Sequence, residues 1–367
     1  MITHDDYRKI INNYCERIRY NSINDLNIAE IDISDLEKFT KLFLDKCCIR
    51  DIIGSIDRHY TLFDDLIKLY ELLDNRIYRR TFPENYERPF NNQIEIVINS
   101  ISLFLKYYEE NNMITEIFRY FRNIEDNSLP LLTYIVSQGF YDLIKLLIAF
   151  FERNNLTDSI CTQFNENLLH MACNIYPQSG HTYHHIKYII DYFNLNGLHD
   201  MIIQPCIIGK TAFHYACEYR TLSEIKLFTS YFIENKLYQE FTRTDNHNCN
   251  PFSHIISNKD PSTILHYLDI IEEYNIDKNI LLSKYHCHSG IYRYSICYIH
   301  VFGKEKHSEC YKKIYDKILD IICKSNQKMY LIDKILNIQS DKISSYFLKN
   351  IIEIKNSSIK ATEDYSE

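Results

Sequence analysis

The chain has 367 residues with a formal net charge of −8, and no cluster of Lys and Arg follows a helical face, which removes the electrostatic footprint of a nucleic-acid binder. Its longest apolar run, residues 143–151, is interrupted by Lys145 and falls far short of the roughly 18 residues a membrane span needs, so no membrane association is expected. Twelve cysteines behind a polar start, Met1-Ile2-Thr3-His4-Asp5-Asp6, predict reduced thiols and a cytoplasmic or nuclear setting rather than a secreted disulfide scaffold. Tyr, Phe, Ile, Asn and Lys are abundant and Gly is scarce, the usage an AT-rich genome imposes.

Residues 1–80 read as a helical N-terminal region. Thr3 and Asp6 can cap a helix with Tyr7, Ile10, Ile11, Tyr14 and Ile18 on one face. Ser34-Asp35-Leu36-Glu37 reads as a capping box opening a second, with Leu36, Phe39, Phe43 and Leu44 inward. Leu62, Leu66, Leu69 and Leu73 form a third stripe at helical spacing. Residues 81–93 hold Pro83 and Pro89 with no helical period and read as a linker. Residues 94–125 follow as helices, the first carrying Ile94, Val97, Ile98, Ile101 and Leu105 on one side.

From residue 126 a pattern recurs. Gly139 and Leu143-Ile144-Lys145-Leu146-Leu147 form the second half of one unit; Asn167-Leu168-Leu169-His170-Met171-Ala172-Cys173 opens another; Gly209-Lys210-Thr211-Ala212-Phe213-His214-Tyr215-Ala216-Cys217 opens a third. Asn250-Pro251-Phe252 opens a fourth, whose second helix begins at Asp260-Pro261 with Asp as cap and Pro in the first turn. The apolar anchors Leu132, Leu169, Phe213 and Phe252 are spaced by 37, 44 and 39 positions (169 − 132, 213 − 169, 252 − 213). Gly209 suits a turn needing positive φ, and Thr211 can cap the helix after it. Extra residues around 177–180 read as a loop between paired helices. A fifth unit is expected from Ser289 to Cys323, with a first helix near Tyr294–Ile299, a helical cap at 324–355 and a disordered tail at 356–367.

The stretch 209–217 resembles the ankyrin repeat, whose consensus there is Gly-x-Thr-Pro-Leu-His-x-Ala-Ala; Gly209, Thr211, His214 and Ala216 match. Ala212, Phe213 and Cys217 depart from it, and Arg220 replaces the family's inter-helix Gly. The resemblance covers 126–270 and extends more weakly to 323. It implies an all-α solenoid of helix-turn-helix repeats with a helical N-terminal cap, acting as a non-enzymatic scaffold for protein–protein interaction. It further implies a monomer without cofactor that binds a protein partner on its concave face, at Tyr215, Glu218, Tyr219, Asp245, Asn246 and His247. In this family the His at the place of His170 and His214 ties a turn by hydrogen bonds, and that structural role is the expectation here over a catalytic one.

Chemical alternatives are thin. His286, Cys287, His288, Cys297, His300, His307 and Cys310 crowd together as zinc would want, yet without paired Cys-x-x-Cys or His-x-x-x-His spacing, and no metal is expected. No phosphate loop, serine elbow or zinc-protease motif occurs. Cys15, Cys47 and Cys48 with His4 and His59 supply residue types for a hydrolase in the N-terminal region and nothing more. The other reading is an effector of a pathogen or virus, working in the host cell, whose C-terminal helices recruit a ubiquitin ligase.

Overall fold

The computed structural model describes residues 4–23, 33–46, 62–79, 91–115, 131–156, 166–174, 182–258, 260–282, 284–286, 292–294, 308–338 and 345–363. These are helical apart from one short hairpin. The chain divides into two compact units, Met1–Thr162 with Pro177–His185, and Gln163–Tyr176 with Ile186–Glu367.

In the first unit, α1 (His4–Ile23), α2 (Leu36–Lys46), α3 (Leu62–Arg79) and α4 (Asn91–Glu110) pack on one another. The apolar stripes read from the sequence bury Tyr7, Ile11, Tyr14, Leu36, Phe43, Leu66, Leu69 and Leu73, while Ile10, Phe39 and Leu44 sit half-buried. Tyr7 stacks on Phe43 at 5.0 Å and meets Phe104 edge-on at 5.9 Å. Its hydroxyl lies 2.5 Å from Thr40 Oγ1, which donates to Leu36 O at 2.8 Å, so the polar atoms of this core are satisfied locally. Arg8 Nε donates to the buried Asp65 at 2.9 Å. Farther on, α5 (Leu131–Gln138) turns into α6 (Tyr141–Arg153) through Gly139, whose φ is +72° and whose added Cβ would stand 2.7 Å from His185 Nδ1. Only glycine meets both demands.

The second unit is a run of helix pairs. α7 (Leu168–Asn174) precedes α8 (Thr182–Leu195), within which the division between units falls, and the short α9 (His199–Ile203). α10 (Ala212–Tyr219) pairs with α11 (Leu222–Glu234), and α12 (Pro251–Asn258) with α13 (Pro261–Glu273). The first helices α7, α10 and α12 lie side by side in that order, and Ala216 and Cys217 of α10 are both fully buried. Phe213 is the aromatic centre of this core, with Phe232 at 5.1 Å, Phe228 at 5.6 Å, Phe241 at 6.1 Å and Tyr267 at 6.3 Å. α14 (Ser308–Lys324) packs on α13 and, with α15 (Lys328–Leu336) and α16 (Ser345–Glu363), closes the described chain as three mutually packed helices.

One turn is built five times. α4, α6, α8, α11 and α13 each end on a left-handed residue, Asn112, Asn155, Gly197, Lys236 and Asn275, with φ between 51° and 69°. After each, an apolar residue sends its N–H back to a carbonyl five positions earlier: Met113 to Tyr108, Leu156 to Phe151, Leu198 to Phe193, Leu237 to Phe232 and Ile276 to Ile271. That is the Schellman closure, which satisfies the last carbonyls of a helix. In four of the five, the residue before the left-handed one is an Asn whose side-chain amide donates to the carbonyl four residues back: Asn111 to Tyr107, Asn154 to Phe150, Asn196 to Tyr192 and Asn235 to Tyr231.

Two sequence expectations are corrected. Residues 292–294, inside the expected fifth helical unit, form β2 (Tyr292–Tyr294), antiparallel to β1 (Lys284–His286) with Tyr285 opposite Arg293. Tyr-rich stretches suit a pleated ribbon at least as well as a helix. The last helix continues through 356–363, where a disordered tail was expected, with the Ser357 and Ser358 hydroxyls donating to Glu353 O and Ile354 O. The insertion at 177–180 lies outside the described residues, as do Cys287, His288, Cys297, His300 and His307.

Candidate functional site

The first helices and the turns that lead into them carry the polar chemistry of the second unit. Each begins with an N-cap side chain. Thr211 accepts from His214 N, Asn167 Oδ1 from Leu169 N and His170 N at 3.0 and 3.2 Å, and Asn250 Oδ1 from Ser253 N at 3.0 Å. In the first two the histidine answers in kind. Asn167 N donates to His170 Nδ1 at 3.3 Å and Thr211 N to His214 Nδ1 at 3.2 Å, and each Nδ1 lies closer still to the cap oxygen, 2.9 Å from Asn167 Oδ1 and 2.8 Å from Thr211 Oγ1. The Nε2 of each ring faces forward to the turn of the following pair, 3.3 Å from Lys210 O at His170 and 3.0 Å from Arg243 O at His214. Burial holds both rings neutral: the His170 pKa falls to about 4, and that of His214, beside His254 and Lys210, to about 3.

The turns stack on each other in the same direct way. Asn246 N donates to Ile208 O at 3.1 Å and its side-chain amide to Ile207 O at 3.0 Å. Gly209, at φ +78°, leaves the space that Asn246 fills; a Cβ there would come within 2.7 Å of Asn246 N.

Behind the turns lies a buried ionic cluster. Lys210 Nζ donates to Glu218 Oε2 at 2.6 Å, and His254 stands between Glu218 and Asp245 with a ring nitrogen 3.6 Å from an oxygen of each. At that length neither contact is a hydrogen bond. Asp245 Oδ1 also accepts from His247 N at 2.8 Å and Cys249 N at 2.9 Å, organising the turn. Burial pushes both carboxyls up, but Lys210 and His254 outweigh it at Glu218, and His254 with the two backbone N–H groups outweighs it at Asp245, so each is held below its ordinary value. Tyr215 donates to Glu166 Oε1 at 2.8 Å and lies under Lys210, whose nitrogen is 5.3 Å from the ring centroid. Glu166, mainly through burial, is shifted upward.

Of the six residues the sequence nominates for a partner surface, Tyr215, Glu218 and Asp245 are buried in this cluster, Tyr219 is half-buried, and Asn246 and His247 are exposed on a turn. The neighbouring turn adds Ile207 and Ile208, 57% and 38% exposed, which the repeat motif leaves out because they precede its first matched position, Gly209. Arg220, in place of the inter-helix Gly, is 1% exposed. It adopts an extended backbone (φ −101°, ψ 165°), so no left-handed residue is required there, and its Nη2 caps Ala172 O at the end of α7. Thr221 and Glu224 then form a reciprocal capping box opening α11.

Among the described residues no group of three or more His, Cys, Asp or Glu side chains could hold a metal ion, and no helix is long and apolar enough to cross a membrane. Comparison of the chain with protein-family models, with curated proteins and with solved structures gives no match.

Proposed function

We propose that the chain is a divergent ankyrin-repeat protein that binds a partner protein without chemistry of its own. The observation that carries the reading is the forward bond of His170 and His214, each from its own capped first helix to the backbone of the next turn. Together with the motif at 209–217 and the side-by-side first helices, it is what the resemblance implies at these positions. The polar cluster supports the same reading, since its carboxylates and imidazoles are spent on one another and closed to solvent.

The partner surface in this proposal is the exposed row of turn residues, Ile207, Ile208, Asn246 and His247. Apolar side chains rimmed by hydrogen-bonding groups are the usual composition of a protein-binding patch. The test is capture of partners by the full chain and by a variant carrying Ile207→Ser, Ile208→Ser and His247→Ala. A partner lost by the variant at unchanged melting temperature supports the surface. Identical capture by both removes it.

A second reading, recruitment of a partner such as a ubiquitin ligase by the C-terminal helices, is favoured by one observation. Met329 and Tyr330 on α15 and Tyr346, Ile352 and Ile359 on α16 are each 38–48% exposed. Replacing Ile352 and Ile359 with Lys would abolish that recruitment while leaving capture through the turns intact.

A further inference from the structure

We propose that Asn196 is a site of spontaneous covalent modification, converted through a cyclic imide to an aspartyl or isoaspartyl residue. Asn196-Gly197 is the one Asn-Gly pair in the sequence, and it falls on the Schellman turn that ends α8. The five like turns form an internal comparison. At the position that must attack, they carry Asn112, Asn155, Gly197, Lys236 and Asn275, and only at Gly197 is there no side chain to hinder approach to the preceding carboxamide. The preceding residue is an Asn in four of them, so the leaving group is shared and the following residue decides.

The surroundings of Gly197 are open. Asn196 and Gly197 are both exposed, and a Cβ built on Gly197 would meet nothing within 4 Å. The attacking nitrogen is lightly held, since Gly197 N donates to Asn194 O at 3.2 Å, whereas the next N–H, Leu198, is held to Phe193 O at 2.8 Å. In the reaction the Gly197 amide nitrogen gives its proton to solvent base and bonds to Asn196 Cγ. The C–N bond to the side-chain nitrogen then breaks, and ammonia leaves. Water opens the ring at either carbonyl. Opening at Cγ leaves a normal backbone with a carboxylate; opening at the main-chain carbonyl reroutes the chain through Cβ and Cγ. The net change is uptake of one water and loss of one ammonia, with no oxidant or cofactor.

Either product damages the turn that contains it. The donor to Tyr192 O, 2.9 Å away in the intact residue, is lost, and a negative charge is left at the carbonyl end of a helix, where the dipole disfavours it. An isoaspartyl linkage also lengthens the backbone inside the Schellman closure. The conversion therefore loosens the end of α8.

The experiment holds the full native chain in mildly alkaline buffer and maps its peptides by mass spectrometry over time, beside a sample unfolded in urea. The proposal expects the amide-to-acid mass change to accumulate in the native chain at position 196, faster than at Asn111, Asn154 or Asn235. It also expects the change to fall away in Gly197→Asn, which keeps a residue type that Asn112, Asn155 and Asn275 show this turn accepts. A native chain left unconverted while the unfolded one converts would overturn it, as would equal conversion in Gly197→Asn.

Discussion

Between His4 and Glu110, four helices meet through side chains that touch other side chains: Tyr7 on Phe43 and Phe104, Arg8 on Asp65. Between Asn167 and Leu282, helix pairs meet through side chains that also bond to main chain: His170 to Lys210 O, His214 to Arg243 O, Asn246 to Ile207 O and Arg220 to Ala172 O. Both regions bury an aromatic core, so burial alone does not separate them. What separates them is how the neighbour is specified, by shape and volume in the first and by a polar atom present in every residue in the second.

The comparison can be broken first at its common ground. Phe213→Ala removes the ring shared by Phe228, Phe232, Phe241 and Tyr267 and should cost about 3–5 kcal/mol, read as a shift in the denaturant midpoint. A loss no larger than that of an exposed substitution would mean this core is not shared between the helix pairs.

Acid sharpens the contrast. A histidine whose folded pKa is depressed contributes stability above its unfolded value and loses it as pH falls from about 6.5 toward the folded value. With His170 at about 4 and His214 at about 3, lowering the pH to about 5 should remove about 2 kcal/mol per ring. Glu166 and Glu240, shifted upward, act in the opposite sense, so the measurement is the difference between the parent chain and His214→Gln across that window. Equal slopes would exclude His214 as a neutral buried joint.

In the side-chain-packed region the smaller test is Tyr7→Phe, which keeps the ring and removes the hydroxyl facing Thr40. It should cost about 0.5–1.5 kcal/mol, measurable by thermal melting, and introduce no pH dependence near neutrality. The smallest effect has the opposite sign. Lys236 holds φ 57° without the freedom of glycine, so Lys236→Gly relieves about 1–2 kcal/mol of left-handed strain against about 0.4–1 kcal/mol of added unfolded-chain entropy, a net stabilisation of up to about 1 kcal/mol. A loss instead would show that the Lys236 side chain does more than tolerate the turn.

These joints were only partly legible in the sequence. Thr211 could be read as a cap from its place ahead of an apolar stretch, and the role of His214 came through the resemblance of 209–217 to the ankyrin repeat. The helix stripes could be read because their period is short. The repeated Asn before a left-handed residue was equally local and was missed because a search anchored on first helices does not look at the ends of second helices; Asn111-Asn112-Met113 and Asn154-Asn155-Leu156 differ in only their last residue. The burial of Tyr215 and Glu218 was out of reach, since it depends on partners such as Glu166, 49 positions away from Tyr215. Arg220 could be misread as disrupting a loop, because the carbonyl it caps, Ala172 O, is 48 positions upstream.

The main-chain joints have one more consequence. A carbonyl oxygen is the same atom whichever side chain its residue bears, so Lys210 and Arg243 could be exchanged for almost any residue without depriving His170 or His214 of an acceptor. Units joined in this way can mutate at most positions, and can be copied, dropped or reshuffled along the chain, and still fit the unit beside them. A lineage built on such joints can keep its architecture long after its letters have diverged.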